Sequence, residues 1–425
     1  MNVSLTAVQA IRGRLSVPGD KSISHRALML GAMAKGETAI CGLASGEDVR
    51  STRHCLQQLG VSIQENKNEV LVQGGVLKKS ATPLDAGNSG TTMRLLSGIL
   101  AAQPFGSTIT GDASLQRRPM RRIIAPLTQM GATITSREDG YAPLTIQGGK
   151  LHGIHYQLPV ASAQVKSCVL FAGLHAEGET VVEEKIPTRD HSERLLRMMG
   201  AKLQVSGDQY SVISMCAGEL RGSEIEVPGD FSSAAFFIAA ALLLPDSELI
   251  IENVGVNPTR TALLEVLREM GANVEIANLR NASHEPMADL IVRHQALHGT
   301  TVFGNRVALL IDEIPILAVM ASQAEGATHI RDAGELRVKE SDRLTAIANN
   351  LRAMGAAVEE LPDGLVITGP TQLRGVEIDS FGDHRIAMAF AIAGLLADSP
   401  TTIRAAECAD ISFPGFFEKV SQLAR

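Results

Sequence analysis

The sequence predicts an α/β protein of two globular units, each assembled from three copies of one supersecondary repeat. Three observations predict it. The chain has 425 residues, more than one hydrophobic core usually serves. A helix-ending motif recurs at nearly constant spacing, and a tetrapeptide reappears three repeats later.

The helix-ending motif is an apolar residue, a glycine, a small residue and a strand-like run. It occurs as Leu59-Gly60-Val61-Ser62-Ile63, Met130-Gly131-Ala132-Thr133-Ile134 and Met199-Gly200-Ala201-Lys202-Leu203. It returns as Met270-Gly271-Ala272-Asn273-Val274 and Met354-Gly355-Ala356-Ala357-Val358, so the glycines stand 71, 69, 71 and 84 residues apart. Each glycine suits the left-handed residue that ends a helix before a strand begins.

A second motif joins a polar entry, a small-residue helix, a glycine and a Thr-led strand. It predicts helices over 24–34, 163–175, 314–323 and 385–397, with 89–102 and 232–244 filling the two remaining places. Six such helices face only five completed helix-ending motifs, because the chain stops inside the sixth, at 416–424. The N-terminal segment 3–17 is expected to supply the strand that should follow, which closes the fold on itself.

Val17-Pro18-Gly19-Asp20 reappears as Val227-Pro228-Gly229-Asp230. Read as crossovers, the two segments divide the chain into a domain of 20–227 and a discontinuous domain of 1–19 plus 228–425. One continuous α/β domain with coincidental phasing is the competing reading. Two connections at one edge make a hinge, and ligands are expected in a cleft between the domains.

Composition narrows the function. A net charge of −7 argues against broad electrostatic binding to nucleic acid or an anionic membrane, so any anion site must be local. The five cysteines (Cys41, Cys55, Cys168, Cys216, Cys408) form no CxxC pair and suit a reducing compartment. The histidines fall in no HExxH or related ligand spacing, so neither metal nor cofactor is expected. The N-terminus lacks a basic stretch followed by an apolar run, and the apolar run 236–244 is too short to span a bilayer. A cytoplasmic location follows as the expectation.

Several repeat helices open with basic, amide or hydroxyl residues, and a helix start offers unpaired N–H groups and partial positive charge to an anion. Pro18-Gly19-Asp20-Lys21-Ser22-Ile23-Ser24-His25-Arg26 gathers Lys21, Ser22 and Arg26 around one start, although Asp20 or Ser22 can equally be a plain N-cap beside a solvated Lys21. No GxxxxGK[ST] is present, which argues against a nucleotide P-loop. In Gly87-Asn88-Ser89-Gly90-Thr91-Thr92-Met93-Arg94 the glycines let backbone N–H groups approach an anion; an ordinary turn into a helix remains open.

Gln116-Arg117-Arg118-Pro119-Met120-Arg121-Arg122 is a basic cluster with Pro119 placed as a first helical residue. No aromatic residue interleaves it, and a solvated turn is its plain alternative. Ser162, Ala163 and Gln164 open another helix, and Thr188-Arg189-Asp190-His191 offers a further guanidinium. In Arg337-Val338-Lys339-Glu340-Ser341-Asp342-Arg343, Lys339 and Arg343 share a face if the segment is helical; a solvated helix explains the same residues. Asp312-Glu313 and Gly382-Asp383-His384-Arg385 each precede a small-residue helix, where a carboxylate is often only a cap.

Taken together, these stretches resemble the 5-enolpyruvylshikimate-3-phosphate synthase family. The matching runs are 20–26, 87–91, Arg118-Pro119, Ser162-Ala163-Gln164, Asp312, 337–343, Asp383-His384-Arg385 and Ser412-Phe413-Pro414, in family order across nearly the whole chain. The resemblance implies an enolpyruvyl transferase fold, in which each of two globules has three βαβαββ-type units. It assigns phosphoenolpyruvate to Lys21, Gly90, Arg118, Gln164, Lys339, Arg343 and Arg385, with Asn88 beside them. It assigns shikimate 3-phosphate to Lys21, Ser22, Arg26, Ser162, Ala163 through its backbone, Gln164, Arg189, Asp312 and Lys339. The implied reaction is addition then elimination through a tetrahedral intermediate. Asp312 and Lys21 are candidates for the hydroxyl proton and Glu340 for the proton at C3, with basic side chains neutralising phosphate charge without a metal. A monomer that binds neither nucleic acid nor membrane is expected.

Two departures from many relatives stand out: Ser412 where a lysine is common before Phe-Pro, and Ala163 where a serine is common, followed downstream by Arg189. Both features resemble the branch that includes glyphosate-tolerant enzymes. Gly90, however, stands where tolerance is usually linked to alanine, so inhibition by glyphosate is expected. The sister family that uses UDP-N-acetylglucosamine has a reactive cysteine in a mobile loop, and the stretch around Arg118 has none. A non-catalytic anion binder on the same scaffold needs no acid or base, whereas this chain has Asp312, Glu340 and Lys21.

Overall fold

Glycine-ended helices alternate with branched runs along the chain. The computed structural model, which describes residues 1–66, 69–138, 140–207 and 211–425, folds that alternation into repeats. They fall into two units. The first contains Gly19–Val227 with Asn281–Glu285, and the second contains Met1–Pro18, Pro228–Arg280 and Pro286–Arg425. The sequence boundaries differ at two places: Gly19 and the segment Asn281–Glu285, assigned by sequence to the second domain, both lie in the first unit.

In the first unit the helices are α1 (Lys21–Met33), α2 (Glu47–Gln58), α3 (Gly90–Ala101), α4 (Arg121–Gln129), α5 (Ala163–Gly173) and α6 (His191–Met198). Three four-stranded sheets accompany them, each with the same sequence of pairings. In one sheet Glu224–Glu226 runs parallel to Gly36–Cys41, which runs antiparallel to Glu69–Gly74, with Ser62–Asn66 at the edge. Its short strand comes from the end of the third repeat and pairs with the first, so the unit closes as a ring of three.

α1, α3 and α5 carry small and aliphatic residues on nearly every side and are buried along most of their length, as helices without a solvated face must be. α3 and α5 approach closely enough that a Cβ on Gly98 would stand 2.2 Å from the carbonyl oxygen of Cys168. Only glycine fits that crossing. α2, α4 and α6 are amphipathic and cover the other side of each repeat.

The second unit repeats the scheme with α7 (Phe231–Leu243), α8 (Ala262–Glu269), α9 (Asn305–Leu310), α10 (Ile314–Gln323), α11 (Arg343–Ala353), α12 (His384–Gly394) and α13 (Phe416–Leu423). The incomplete sixth repeat is finished by the N-terminus, as the sequence count requires. Val3–Leu5 runs antiparallel to Thr401–Arg404, and Arg12–Ser16 runs parallel to the strand Glu248–Gly255. Phe416 of α13 packs edge-on against Phe236 of α7, with ring centroids 5.8 Å apart, and anchors the last helix in the core.

Two local expectations are corrected. Pro119 precedes α4 rather than opening it, because Leu115–Arg117 forms a 3₁₀ turn and Met120 occupies the cap. The segment 337–343 is not one helix: a 3₁₀ turn spans Gly334–Val338, and Asp342 caps α11, which begins at Arg343. Lys339 and Arg343 therefore do not share a helical face. The Asp342 side chain accepts from the N–H of Thr345, a local bond that competes with a continuous helix.

Candidate active site

In the first unit, three helix starts gather the predicted side chains. Asp20 caps α1 by accepting from the N–H of Ile23 at 2.9 Å, which settles the cap in favour of Asp20 over Ser22. Lys21 follows, its Nζ 2.9 Å from Asp48 Oδ2 of α2. One turn on, Arg26 is buried and held on three sides. Its Nε donates to Ser192 Oγ at 2.7 Å, Nη2 to Ser167 Oγ at 2.8 Å and Nη1 to the Ser22 carbonyl at 2.8 Å. Burial draws the guanidinium down to about 10, against the upward pull of Glu193 and Asp20, while Arg189 adds to the lowering. Arg189 thus lies within electrostatic reach of Arg26.

Ser89 caps α3, accepting from the N–H of Thr92 at 3.1 Å. The missing Cβ of Gly90 leaves room for two guanidinium groups: a methyl there would stand 2.8 Å from Arg94 Nη1 and 3.5 Å from Arg118 Nη1. Arg118 Nη2 donates to Asn88 Oδ1 at 2.6 Å, and Asn88 Nδ2 donates to Asp112 Oδ2 at 2.7 Å. Gln164, on the first turn of α5 behind the cap Ser162, accepts from Arg94 Nη1 at 2.7 Å and donates to Thr91 Oγ1 at 2.9 Å. The Asn88–Arg118 and Arg94–Gln164 pairs therefore meet over Gly90, with Ala163 beside Gln164 in the chain.

Behind this group lies a buried charge network that sequence reasoning missed. Lys166 Nζ is 2.9 Å from Glu184 Oε2 and 2.7 Å from Glu193 Oε1, with all three side chains shut off from solvent. Burial alone would lower the Lys166 ammonium, but Glu193 and Glu184 outweigh it and hold it above its ordinary value. Ser167 and Ser192, bonded to each other at 2.7 Å, connect this network to Arg26.

In the second unit, Arg343 is almost fully buried among three carboxylates. Its Nε meets Asp383 Oδ2 at 2.7 Å, Nη2 meets Glu340 Oε2 at 2.6 Å, and Nη1 lies 3.6 Å from Asp312 Oδ1. Burial lowers the guanidinium, yet Asp383, Glu340 and Asp312 together raise it above its ordinary value. Arg385 Nη1 donates to the Asp312 carbonyl at 2.9 Å, and its Nε lies 3.5 Å from Asp312 Oδ1. Asp312, Glu340, Arg343 and Arg385 thus converge, with Asp383 as the cap that aims Arg343. Lys339 lies in the non-helical segment leading to Arg343.

Arg337 is a scaffold residue. It bonds Asp342, Glu360 and the carbonyl oxygens of Leu361 and Pro362. Sequence reasoning also missed Asp48, Arg94 and the role of Asp383 as the partner of Arg343. Arg94 falls within the quoted glycine-rich stretch, four residues after Gly90, and that helical spacing was the available signal.

Among the described residues, Asp190, His191 and Glu285 bring potential metal-ligand atoms within 4.8 Å of one another. His191 Nδ1 is hydrogen-bonded to Glu285 Oε1 at 2.7 Å, and Arg194 Nε donates to Asp190 Oδ2 at 2.8 Å. These bonds occupy the group with internal partners.

Sixfold repetition of the helix–sheet unit, with guanidinium, ammonium and amide groups at its helix starts, defines an α/β protein of the enolpyruvyl transferase fold. The EPSP synthase (3-phosphoshikimate 1-carboxyvinyltransferase) family model matches residues 5–420. The chain belongs to that family and is a transferase. It is 56% identical to the 3-phosphoshikimate 1-carboxyvinyltransferase of Synechocystis sp. over 98% of this chain and 94% of that protein. It is 52% identical to that of Desulforudis audaxviator over 100% and 99%. Among solved structures, EPSP synthase from Acinetobacter baumannii superposes with a TM-score of 0.88 at 46% identity, covering 100% of this chain and 98% of that one. The enolpyruvyl transferase NikO from Streptomyces tendae shares the fold at a TM-score of 0.81 and 18% identity, over 99% and 96%.

Proposed function

We infer that this chain performs its family's reaction with two sets of anion-binding side chains, one carried by each unit. It transfers the enolpyruvyl group of phosphoenolpyruvate to the 5-hydroxyl of shikimate 3-phosphate and releases phosphate, a step toward the aromatic amino acids. The observation that carries the assignment is the convergence of Asp312, Glu340, Arg343 and Arg385 within one unit, and of Asn88, Gly90, Arg118 and Gln164 within the other.

Phosphoenolpyruvate is assigned to Lys21, Gly90, Arg118, Gln164, Lys339, Arg343 and Arg385, whose fixed donors suit carboxylate and phosphate oxygens. Shikimate 3-phosphate is assigned to Lys21, Ser22, Arg26, Ser162, Ala163, Gln164, Arg189, Asp312 and Lys339. In the addition step the 5-hydroxyl attacks C2 while C3 takes a proton. Asp312 and Lys21 are assigned to the hydroxyl proton and Glu340 to the proton at C3. Loss of a C3 proton and of phosphate from the tetrahedral intermediate then yields the enol ether. Preorganised guanidinium and ammonium groups supply the charge stabilisation this needs.

Among the described residues no helix is long and apolar enough to cross a membrane. With the unpaired cysteines, this favours a cytoplasmic enzyme, and a monomer is the expected state, checked by sedimentation. The decisive assay follows phosphate release from phosphoenolpyruvate in chelator-treated buffer, with shikimate 3-phosphate or UDP-N-acetylglucosamine as acceptor. Release with shikimate 3-phosphate alone, abolished by Arg118→Ala and by Arg343→Ala, supports the reading. Release that needs an added divalent ion, or that survives both substitutions, overturns it.

A further inference from the structure

The hairpin joining the strands Glu275–Ala282 and Glu285–Arg293 leaves the second unit at its tip. Residues Asn281–Glu285 belong to the first unit, and the chain returns to the second at Pro286. The turn residues Ser283 and His284 both have positive φ, +50° and +65°. Neither is the glycine or asparagine that such a two-residue turn prefers, so its surroundings must hold it.

Three bonds do so. Ser283 Oγ accepts from the N–H of Glu226 at 2.8 Å, the His284 carbonyl accepts from Arg194 Nη1 at 2.8 Å, and Glu285 Oε1 meets His191 Nδ1 at 2.7 Å. Two of the three end on α6. His191 and Glu285 are buried, and His191, Ser192 and Glu193 are the first three residues of that helix.

The next bonds lead to the substrate-binding group. Ser192 Oγ accepts from Arg26 Nε and pairs with Ser167 Oγ, which accepts from Arg26 Nη2. Glu193 holds Lys166, which neighbours Ser167 on α5. Arg26 thus takes the aim of its guanidinium from the first turn of α6, and that turn takes its placement from the hairpin tip.

We propose that Glu285 is a positioning residue for the acceptor substrate, fixing Arg26 through His191 and Ser192. The inference rests on the assignment of Arg26 to shikimate 3-phosphate. Guanidinium–anion bonds depend on aim, and a displacement of a fraction of an ångström weakens binding without touching the reacting atoms. The Glu285 carboxylate is also among the charges that favour the cationic form of Arg26.

The test is steady-state kinetics on Glu285→Ala, Glu285→Gln, His191→Gln, the double variant Glu285→Ala/His191→Gln and, as a reference, Arg26→Lys. Glu285→Ala is expected to raise KM for shikimate 3-phosphate roughly tenfold, with kcat and KM for phosphoenolpyruvate within about twofold. Glu285→Gln keeps an acceptor for His191 and should recover most of the loss. The double variant should be no worse than the single changes, as expected for residues acting in series. If Glu285→Ala lowers kcat in step with its folded fraction and leaves both KM values unchanged while Arg26→Lys raises the acceptor KM, the positioning role is overturned alone. If Arg26→Lys leaves the acceptor KM unchanged, the assignment of Arg26 fails and this inference fails with it.

Discussion

Arg343 and Asp383 meet along two bonds, Nε to Oδ2 at 2.7 Å and Nη2 to Oδ1 at 3.2 Å, with both side chains almost wholly buried. Asp383 also caps α12 through the backbone N–H of Arg385 at 2.9 Å, so one carboxylate aims the Arg343 guanidinium and holds the backbone of Arg385, both residues assigned to phosphoenolpyruvate. Asparagine caps a helix as well as aspartate does but offers no charge. Asp383→Asn should therefore lower kcat/KM for phosphoenolpyruvate roughly 50-fold, the size of a lost charge-assisted bond. A loss confined to thermal stability, with kinetics intact, would count against the assignment.

A methyl group at position 90 presses on Arg94 Nη1 from 2.8 Å, and the guanidinium that bonds Gln164 must shift. Gly90→Ala is expected to raise KM for phosphoenolpyruvate by about tenfold, with kcat reduced less and folding stability changed by less than about 1 kcal/mol. Glyphosate inhibition should weaken in the same variant, measured as Ki against phosphoenolpyruvate. An unchanged KM would show that the guanidinium at Arg94 is not part of the binding arrangement.

Glu340 is assigned to proton transfer at C3, and its carboxylate lies 2.6 Å from Arg343 Nη2. Glu340→Gln keeps the volume and loses the acid–base group. Its kcat should drop between about 10²- and 10⁴-fold, the usual contribution of a positioned acid or base. Incorporation of solvent deuterium at C3 during turnover should fall in parallel. Retained incorporation would assign the step to another residue.

Lys166 balances two carboxylates out of reach of water. Its raised affinity for a proton means that its contribution to stability is complete below the ordinary lysine range and is lost only as pH rises through the raised folded value. Lys166→Met leaves Glu184 and Glu193 buried without a cation, and burial already pushes the Glu193 carboxyl up. A carboxyl that binds its proton more tightly when folded costs stability above the ordinary glutamate range of about 4.3. The variant's deficit should thus be small near pH 5 and grow to about 3–5 kcal/mol near pH 8, read by urea unfolding. A deficit independent of pH would refute this account.

The repeats were legible because helix-ending glycines and small-residue helices are local signals. So was the completion of the sixth repeat, a matter of counting. Pro119 and the 337–343 segment misled because a 3₁₀ turn and a side-chain cap depend on a few local bonds that residue spacing does not reveal. Residues with unusual chemistry at helix starts, such as Lys21, Gln164 and Arg343, could be picked out from sequence. Their partners could not: Asp48, Ser167 and Ser192 are ordinary residues until folding brings them to Lys21 and Arg26. Likewise, nothing in the run Asn281–Glu285 marks it as part of the other unit.

The strand Val3–Leu5 finds its partner only at Thr401–Arg404, and Gln9 donates its N–H to the Arg425 carbonyl at 3.0 Å. A ribosome therefore releases the first stretch of chain long before its neighbours exist. Gly19–Val227 can condense while synthesis continues, but the strand Val3–Leu5 must wait, solvated and unpaired, for the final repeat to emerge. The same seam sets Arg425 beside Gln9 and Ala10. A permuted gene that links Arg425 to the strand Val3–Leu5 and opens elsewhere at an exposed turn should give the same fold, with that strand no longer kept waiting.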